Sequence, residues 1–132
     1  MNKSAIIINP DQPTGLLANA VACITSGLFL NGAEYVGETI VGSDVTYIPI
    51  TKIPILILKP GNIPLIDLCH KAQQTGLKCM VFTLEAQTTT NYEEYTQRVK
   101  GKSIKNVTVV GLGVVGPEEK VNSLTGSLPM LR

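Results

Sequence analysis

Apolar and polar positions alternate between two rhythms along this chain, and the rhythm divides it into four strands and four helices. Ala5-Ile6-Ile7-Ile8 is an unbroken apolar run, as suits a strand covered on both faces. After the polar turn Asn9–Thr14, Leu17, Ala20, Val21, Ile24 and Leu28 recur at helical spacing, predicting a helix from Pro13 to Phe29 that closes at Asn31-Gly32. Gly15, Ala18, Ala22 and Ser26 leave an adjacent face of that helix thin enough for another element to approach.

Residues 32–52 carry short β-leaning pieces divided by Gly37, Gly42 and Asp44, and predict an excursion containing a hairpin. Ile53–Leu58 reads as a second strand, with Pro54 marking an edge or a strand entrance. A helix follows over Ile63–Thr75, with Leu65, Leu68, Cys69 and Ala72 as its apolar stripe and Gly76 as its stop. Leu77–Leu84 is the third strand, with Cys79, Val81 and Thr83 on one face and Met80, Phe82 and Leu84 on the other. Asn91 and Glu94 have capping-box spacing ahead of a helix over Tyr92–Val99. Asn106–Val115 is the fourth strand, and Pro117-Glu118-Glu119 starts a last helix stopped by Gly126, with an apolar tail that docks.

One domain is expected from 132 residues, enough to bury roughly two-thirds of the surface of the unfolded chain. With 44% apolar and 16% charged residues the chain is globular but light in charge, which points to a homo-oligomer. A net charge of +1 gives no bulk attraction for nucleic acid or an anionic membrane. Cys23, Cys69 and Cys79 are odd in number and lie in apolar stretches, as reduced thiols in a cytoplasmic protein would. Neither a signal peptide nor a membrane span is legible.

No complete catalytic constellation appears. His70 stands beside the apolar stripe of its helix with no relay partner, and reads as a surface residue. Gly111-Leu112-Gly113-Val114-Val115-Gly116 has the spacing of a dinucleotide fingerprint, but the chain that follows is too short for a Rossmann unit. Gly111 and Gly113 instead mark places where a helix packs closely on the sheet. No grouping of ligands has metal spacing, and no cofactor is implied.

Two polar stretches carry the candidate chemistry. If the third strand lies parallel to the first and beside it, the Asn9–Thr14 turn and the Glu85–Asn91 loop share the carboxyl rim of the sheet, where open α/β sheets bind ligands. The N–H groups of Thr14, Gly15 and Leu16 would hold a carboxylate or phosphate, with Asn9, Asn19, Thr89 and Thr90 completing the contacts. Asp11 either serves the site or caps the helix. Arg98, Lys100, Lys102 and Lys105 form the one basic cluster, read as a solvated helix end or as an RNA contact.

The stretches Asn9–Asn19, Phe82–Thr88 and Lys120–Arg132 together resemble a family of small uncharacterised bacterial proteins, similar in fold to the archaeal and eukaryotic type of peptidyl-tRNA hydrolase. The resemblance implies an α/β domain with three layers, α/β/α, around a four-stranded mixed sheet. It also places Glu85 and Thr89 at the acidic and threonine positions of the hydrolases' third-strand loop, with Gln87 where those enzymes have glycine. The lysine that follows the first helix's glycine in the hydrolases is absent, because Leu16 follows Gly15.

Two main readings follow from these residues. One is a hydrolase acting on an ester or amide, such as a peptidyl-tRNA-like substrate, with Glu85, Thr89 and Asp11 as catalytic residues. The other is a module that binds a small molecule without catalysis, or an oligomeric interaction domain.

Overall fold

The structure, a computed structural model, describes residues 1–132. The first apolar run becomes strand β1 (Asn2–Ile8), and the turn after it leads into helix α1 (Thr14–Leu28), with Pro13 as the cap residue rather than the first helical one. Asn31, at φ 62°, reverses the chain after α1. Then come β2 (Ile40–Val41) and β3 (Thr46–Tyr47), which pair only with each other, and β4 (Ile55–Leu58). Helix α2 (Leu65–Gln74), strand β5 (Lys78–Thr83), helices α3 (Leu84–Gln87) and α4 (Tyr92–Val99), strand β6 (Val109–Pro117) and helix α5 (Glu118–Thr125) complete the chain.

The main sheet is mixed and four-stranded, in the order β4-β1-β6-β5. β1 runs parallel to β4 and antiparallel to β6, and β5 runs antiparallel to β6. This order corrects one expectation: β5 is parallel to β1 but not its neighbour, because β6 lies between them. The carboxyl ends of β1 and β5 still share one rim, and both following loops are pinned there to the start of β6. Asn9 N–H donates to the Val110 carbonyl at 3.0 Å and Leu84 N–H to the Thr108 carbonyl at 2.8 Å.

Side chains alternate across β1 into two cores. Ala5 and Ile7 join Leu68, Ala72, Val121 and Leu124 from α2 and α5, whereas Ile6 and Ile8 join Ala20 and Ile24 from α1. The glycines of β6 let α1 settle onto the sheet. A Cβ at Gly111 would lie 2.9 Å from Ile24 Cδ1, and one at Gly113 only 2.6 Å from Ile24 Cγ2. Both positions therefore act as close-packing points and not as a phosphate loop.

Pro54 precedes an edge strand, as read from the sequence, and β4 gains a partner on its open side from the docked tail. Leu131 N–H donates to the Ile57 carbonyl at 3.0 Å and Lys59 N–H to the Pro129 carbonyl at 2.8 Å. Gly76, at φ 74°, ends α2. Two expectations need correction. Leu84 leaves the strand and starts α3, because the Thr83 hydroxyl accepts from Ala86 N–H and caps a short helix there. The thin face of α1 is covered by nothing: Gly15, Ala18, Ala22 and Ser26 are all exposed. No helix is long and apolar enough to cross a membrane.

Candidate functional site

Helix α1 presents two stripes. Ala20, Ile24 and Leu28 are fully buried on the sheet, and the stripe beside them, Leu16, Asn19, Cys23, Gly27 and Leu30, forms one wall of an open groove. Met80 and Phe82 of β5 are its floor, with Met80 fitted against Gly27, where a Cβ would fall 3.0 Å from Met80 Cγ. The opposite wall is α3, the Thr89–Asn91 link and the first turn of α4. The groove encloses about 900 Å³, within the range of small-molecule sites.

The polar wall is held by local hydrogen bonds that its sequence dictates. The Asn91 side chain caps α4 by accepting from Glu93 N–H at 2.9 Å and Glu94 N–H at 3.2 Å. The Thr89 hydroxyl donates to Glu94 Oε2 at 3.1 Å and accepts from Asn91 N–H at 3.1 Å. Arg98 ties α4 to α3, donating to the Thr88 hydroxyl at 3.0 Å and pairing with the Glu94 carboxylate. Across the groove, Gln87 Nε2 donates to the Leu16 carbonyl at 3.1 Å.

Of the residues singled out from the sequence, Leu16, Asn19, Thr89 and Thr90 line this groove. Asn9, Asp11, Thr14, Gly15 and Glu85 do not. The Asn9 side chain accepts from Asp11 N–H at 2.9 Å and so shapes the turn before α1. Asp11 is exposed and makes no side-chain cap, since α1 has none. Glu85 Oε1 accepts from Thr108 N–H at 2.9 Å, fastening α3 to the approach to β6. The two carboxylates are thus each engaged or exposed outside the groove. In the basic cluster Arg98 is spent on internal bonds, and Lys100, Lys102 and Lys105 stay exposed.

Sequence reasoning missed Gln87, Tyr92 and Tyr95. The tyrosines stand three apart on α4 with ring centroids 5.5 Å apart, edge to face, and both line the groove. Burial, then the neighbouring Tyr92, raises the Tyr95 hydroxyl above its ordinary range. Aromatics at helical spacing beside a polar loop were the available signal.

The groove has an unusual chemical balance. None of its fifteen lining residues is Asp, Glu, His, Lys or Arg. Yet Asn19 Nδ2, Gln87 Oε1, the Thr90 hydroxyl and both tyrosine hydroxyls make no hydrogen bond within the protein, while the floor is apolar. Cys23 sits in the wall, its thiol 3.8 Å from Asn19 Oδ1. The other two cysteines lie on the opposite side of the sheet, where burial pushes Cys69 to about 12, with the adjacent Cys79 adding to it, and Cys79 to about 11. All three are free thiols, and no three His, Cys, Asp or Glu side chains are placed to hold a metal ion.

The same architecture occurs in a solved protein of unknown function from Agrobacterium tumefaciens str. C58, at a TM-score of 0.87 and 20% identity, covering 98% of this chain and 96% of that one. At that identity the likeness carries the fold alone. No curated protein matches the chain in sequence. The family model described as "Protein of unknown function (DUF2000)" matches residues 2–132, so the chain belongs to that family.

Proposed function

We propose that this protein binds an uncharged amphipathic small molecule in the groove between α1 and the α3–α4 wall. The observation that carries this reading is the groove's lining: unpartnered neutral donors and acceptors above an apolar floor, with no formal charge among them. An apolar chain or ring would rest on Met80 and Phe82. An amide or hydroxyl head would exchange hydrogen bonds with Asn19, Gln87 and Thr90. No lining residue carries a formal charge to pair with a charged head, and the nearby Glu94 carboxylate is already engaged by Thr89 and Arg98, so the site favours a neutral head over carboxylates and ammonium groups.

Catalysis has less support than binding. A hydrolase needs a base near a water and a group that stabilises the oxyanion. Glu85 and Asp11 lie outside the groove, and Leu16 stands where the hydrolases carry lysine. The three-layer arrangement expected from the resemblance is supported by α1 on one face of the sheet and α2 and α5 on the other. The free thiols suit a reducing, cytoplasmic setting.

Octanamide, octanoate and octylamine share one apolar chain and differ in the head group, so they test the reading directly. Thermal denaturation is expected to shift upward with octanamide, and to require about tenfold more of either charged analogue for the same shift. Equal response to all three would refute selection for a neutral head.

A further inference from the structure

Two hydrogen bonds mark the ends of the groove. At one end, past the carboxyl terminus of β5, Gln87 Nε2 donates to the Leu16 carbonyl at 3.1 Å. At the other, Lys78, the first residue of β5, donates through Nζ to the Leu30 carbonyl at 3.1 Å. The groove therefore runs the length of α1, about 21 Å at a helical rise of about 1.5 Å per residue.

Its free polar groups gather at the first of these ends. Asn19 lies one helical turn from Leu16, Gln87 makes the closing bond, and Thr90 belongs to the link that follows α3. Past Cys23 the lining turns apolar. Gly27, Leu30 and Met80 offer no side-chain N–H or O–H, and the Ser26 hydroxyl is spent on the Cys23 carbonyl at 2.9 Å. A peptide lying here would bring an amide roughly every 3.3 Å and leave those beyond Cys23 unpaired. A hydrocarbon chain with a single polar head matches the lining throughout.

The far half of the groove is kept open by one glycine. A Cβ at Gly27 would lie 3.0 Å from Met80 Cγ and 3.2 Å from Met80 Cε, so the thioether lies along the space that a side chain would fill. Met80 is thereby held down on the floor. A side chain at position 27 would turn it up into the groove, an adjustment that an unbranched, flexible methionine makes readily. Gly27 stands about 12 Å beyond Asn19 along α1, and Leu30 about 16 Å. At roughly 1.3 Å per carbon of an extended chain, these points fall near the ninth and twelfth carbons from the head.

We propose, resting on the groove as a site for a neutral amphipathic molecule, that its ligand class is an unbranched aliphatic amide or alcohol of up to about twelve carbons, and that Gly27 and Met80 set this length. The head lies among Asn19, Gln87 and Thr90, and the chain runs over Met80 toward Leu30.

Equilibrium dialysis against hexanamide, octanamide, decanamide and dodecanamide reads the length. In the native chain each added methylene is expected to tighten binding about threefold to fourfold along the whole series. Gly27→Val is expected to leave octanamide within about threefold of its native affinity and to weaken dodecanamide at least about tenfold. Adding Met80→Ala removes the displaced side chain and should restore binding of the longer amides. Gly27→Ala, which suits a helix, should show the same trend on a smaller scale if Gly27→Val fails to fold. Native affinity that stops rising at octanamide, equal losses for octanamide and dodecanamide in Gly27→Val, or no recovery in the double variant would each overturn length control by Gly27 and Met80, while octanamide binding itself still stood. Failure of octanamide to bind the native chain would instead remove the groove reading, and this assignment with it.

Discussion

The Gln87 side-chain amide donates to the Leu16 main-chain carbonyl at 3.1 Å, joining α3 to the first turn of α1 across the end of the groove. Seventy-one residues separate the two in sequence, so the bond fixes a distance that no local element sets. Gln87→Leu keeps the bulk of the side chain and removes the bond. A single exposed hydrogen bond contributes about 0.5–1.5 kcal/mol, so octanamide binding should weaken roughly 2–10-fold. Hydrogen exchange at the α3 amides should quicken while the core amides are unaffected.

Gly113 and Gly15 should respond to alanine in opposite senses. A methyl at Gly113 would meet Ile24 Cγ2 at 2.6 Å and Leu28 Cδ2 at 3.1 Å, forcing α1 away from the sheet. Gly113→Ala is expected to cost about 1–3 kcal/mol in urea unfolding. Gly15 lies in α1 with nothing within 4 Å of its would-be Cβ. Gly15→Ala should stabilise by up to about 1 kcal/mol, because alanine loses less freedom in a helix.

Arg98 organises the polar wall by bonding Thr88 and Glu94 at once. Arg98→Met retains most of the apolar stem and removes both bonds. Because the pair is partly exposed, the global loss should stay near 1 kcal/mol or below. The local effect should be larger, seen as faster hydrogen exchange over Thr88–Asn91 and weaker octanamide binding.

Cys69 and Cys79 make the fold sensitive to alkali. Their folded values, about 12 and about 11, lie above the ordinary 9.0, so the folded chain keeps protons that the unfolded chain releases. The stability this contributes is fully present below about pH 9 and is lost as pH rises toward the folded values. Urea midpoints should therefore fall between pH 8.5 and 10.5, and fall less steeply in a variant with Cys69→Ala and Cys79→Ala. At pH 8 in the native state, alkylation by iodoacetamide should proceed fastest at Cys23, whose thiol stands in the groove wall.

Strands and long helices were legible in the sequence because their apolar spacing reports which face each residue uses. Ile6 and Ile8 against Ala5 and Ile7, or Met80 and Phe82 against Cys79 and Val81, fall on the faces their alternation predicts. Sheet order was not legible, since alternation says nothing about neighbours, and β6 enters between β1 and β5 through long-range pairing. Helix α3 was hidden because Leu84 continues the strand's alternation, while the Thr83 cap that turns the chain is a single hydrogen bond. Four of the groove's fifteen lining residues, Leu16, Asn19, Thr89 and Thr90, stand out in the sequence as polar or helix-start residues near the rim. Gln87, Tyr92 and Tyr95 were missed because their role depends on α4 folding back against α3 through Arg98.

Amide-resolved NMR during titration with octanamide locates the bound molecule on the fold. Saturable shifts are expected to concentrate at Asn19, Cys23, Gln87, Thr90 and Tyr95, and to be abolished or much reduced by Asn19→Leu together with Thr90→Val. Shifts that centre elsewhere, or that persist undiminished in that double variant, would contradict the assignment of the groove as the binding site.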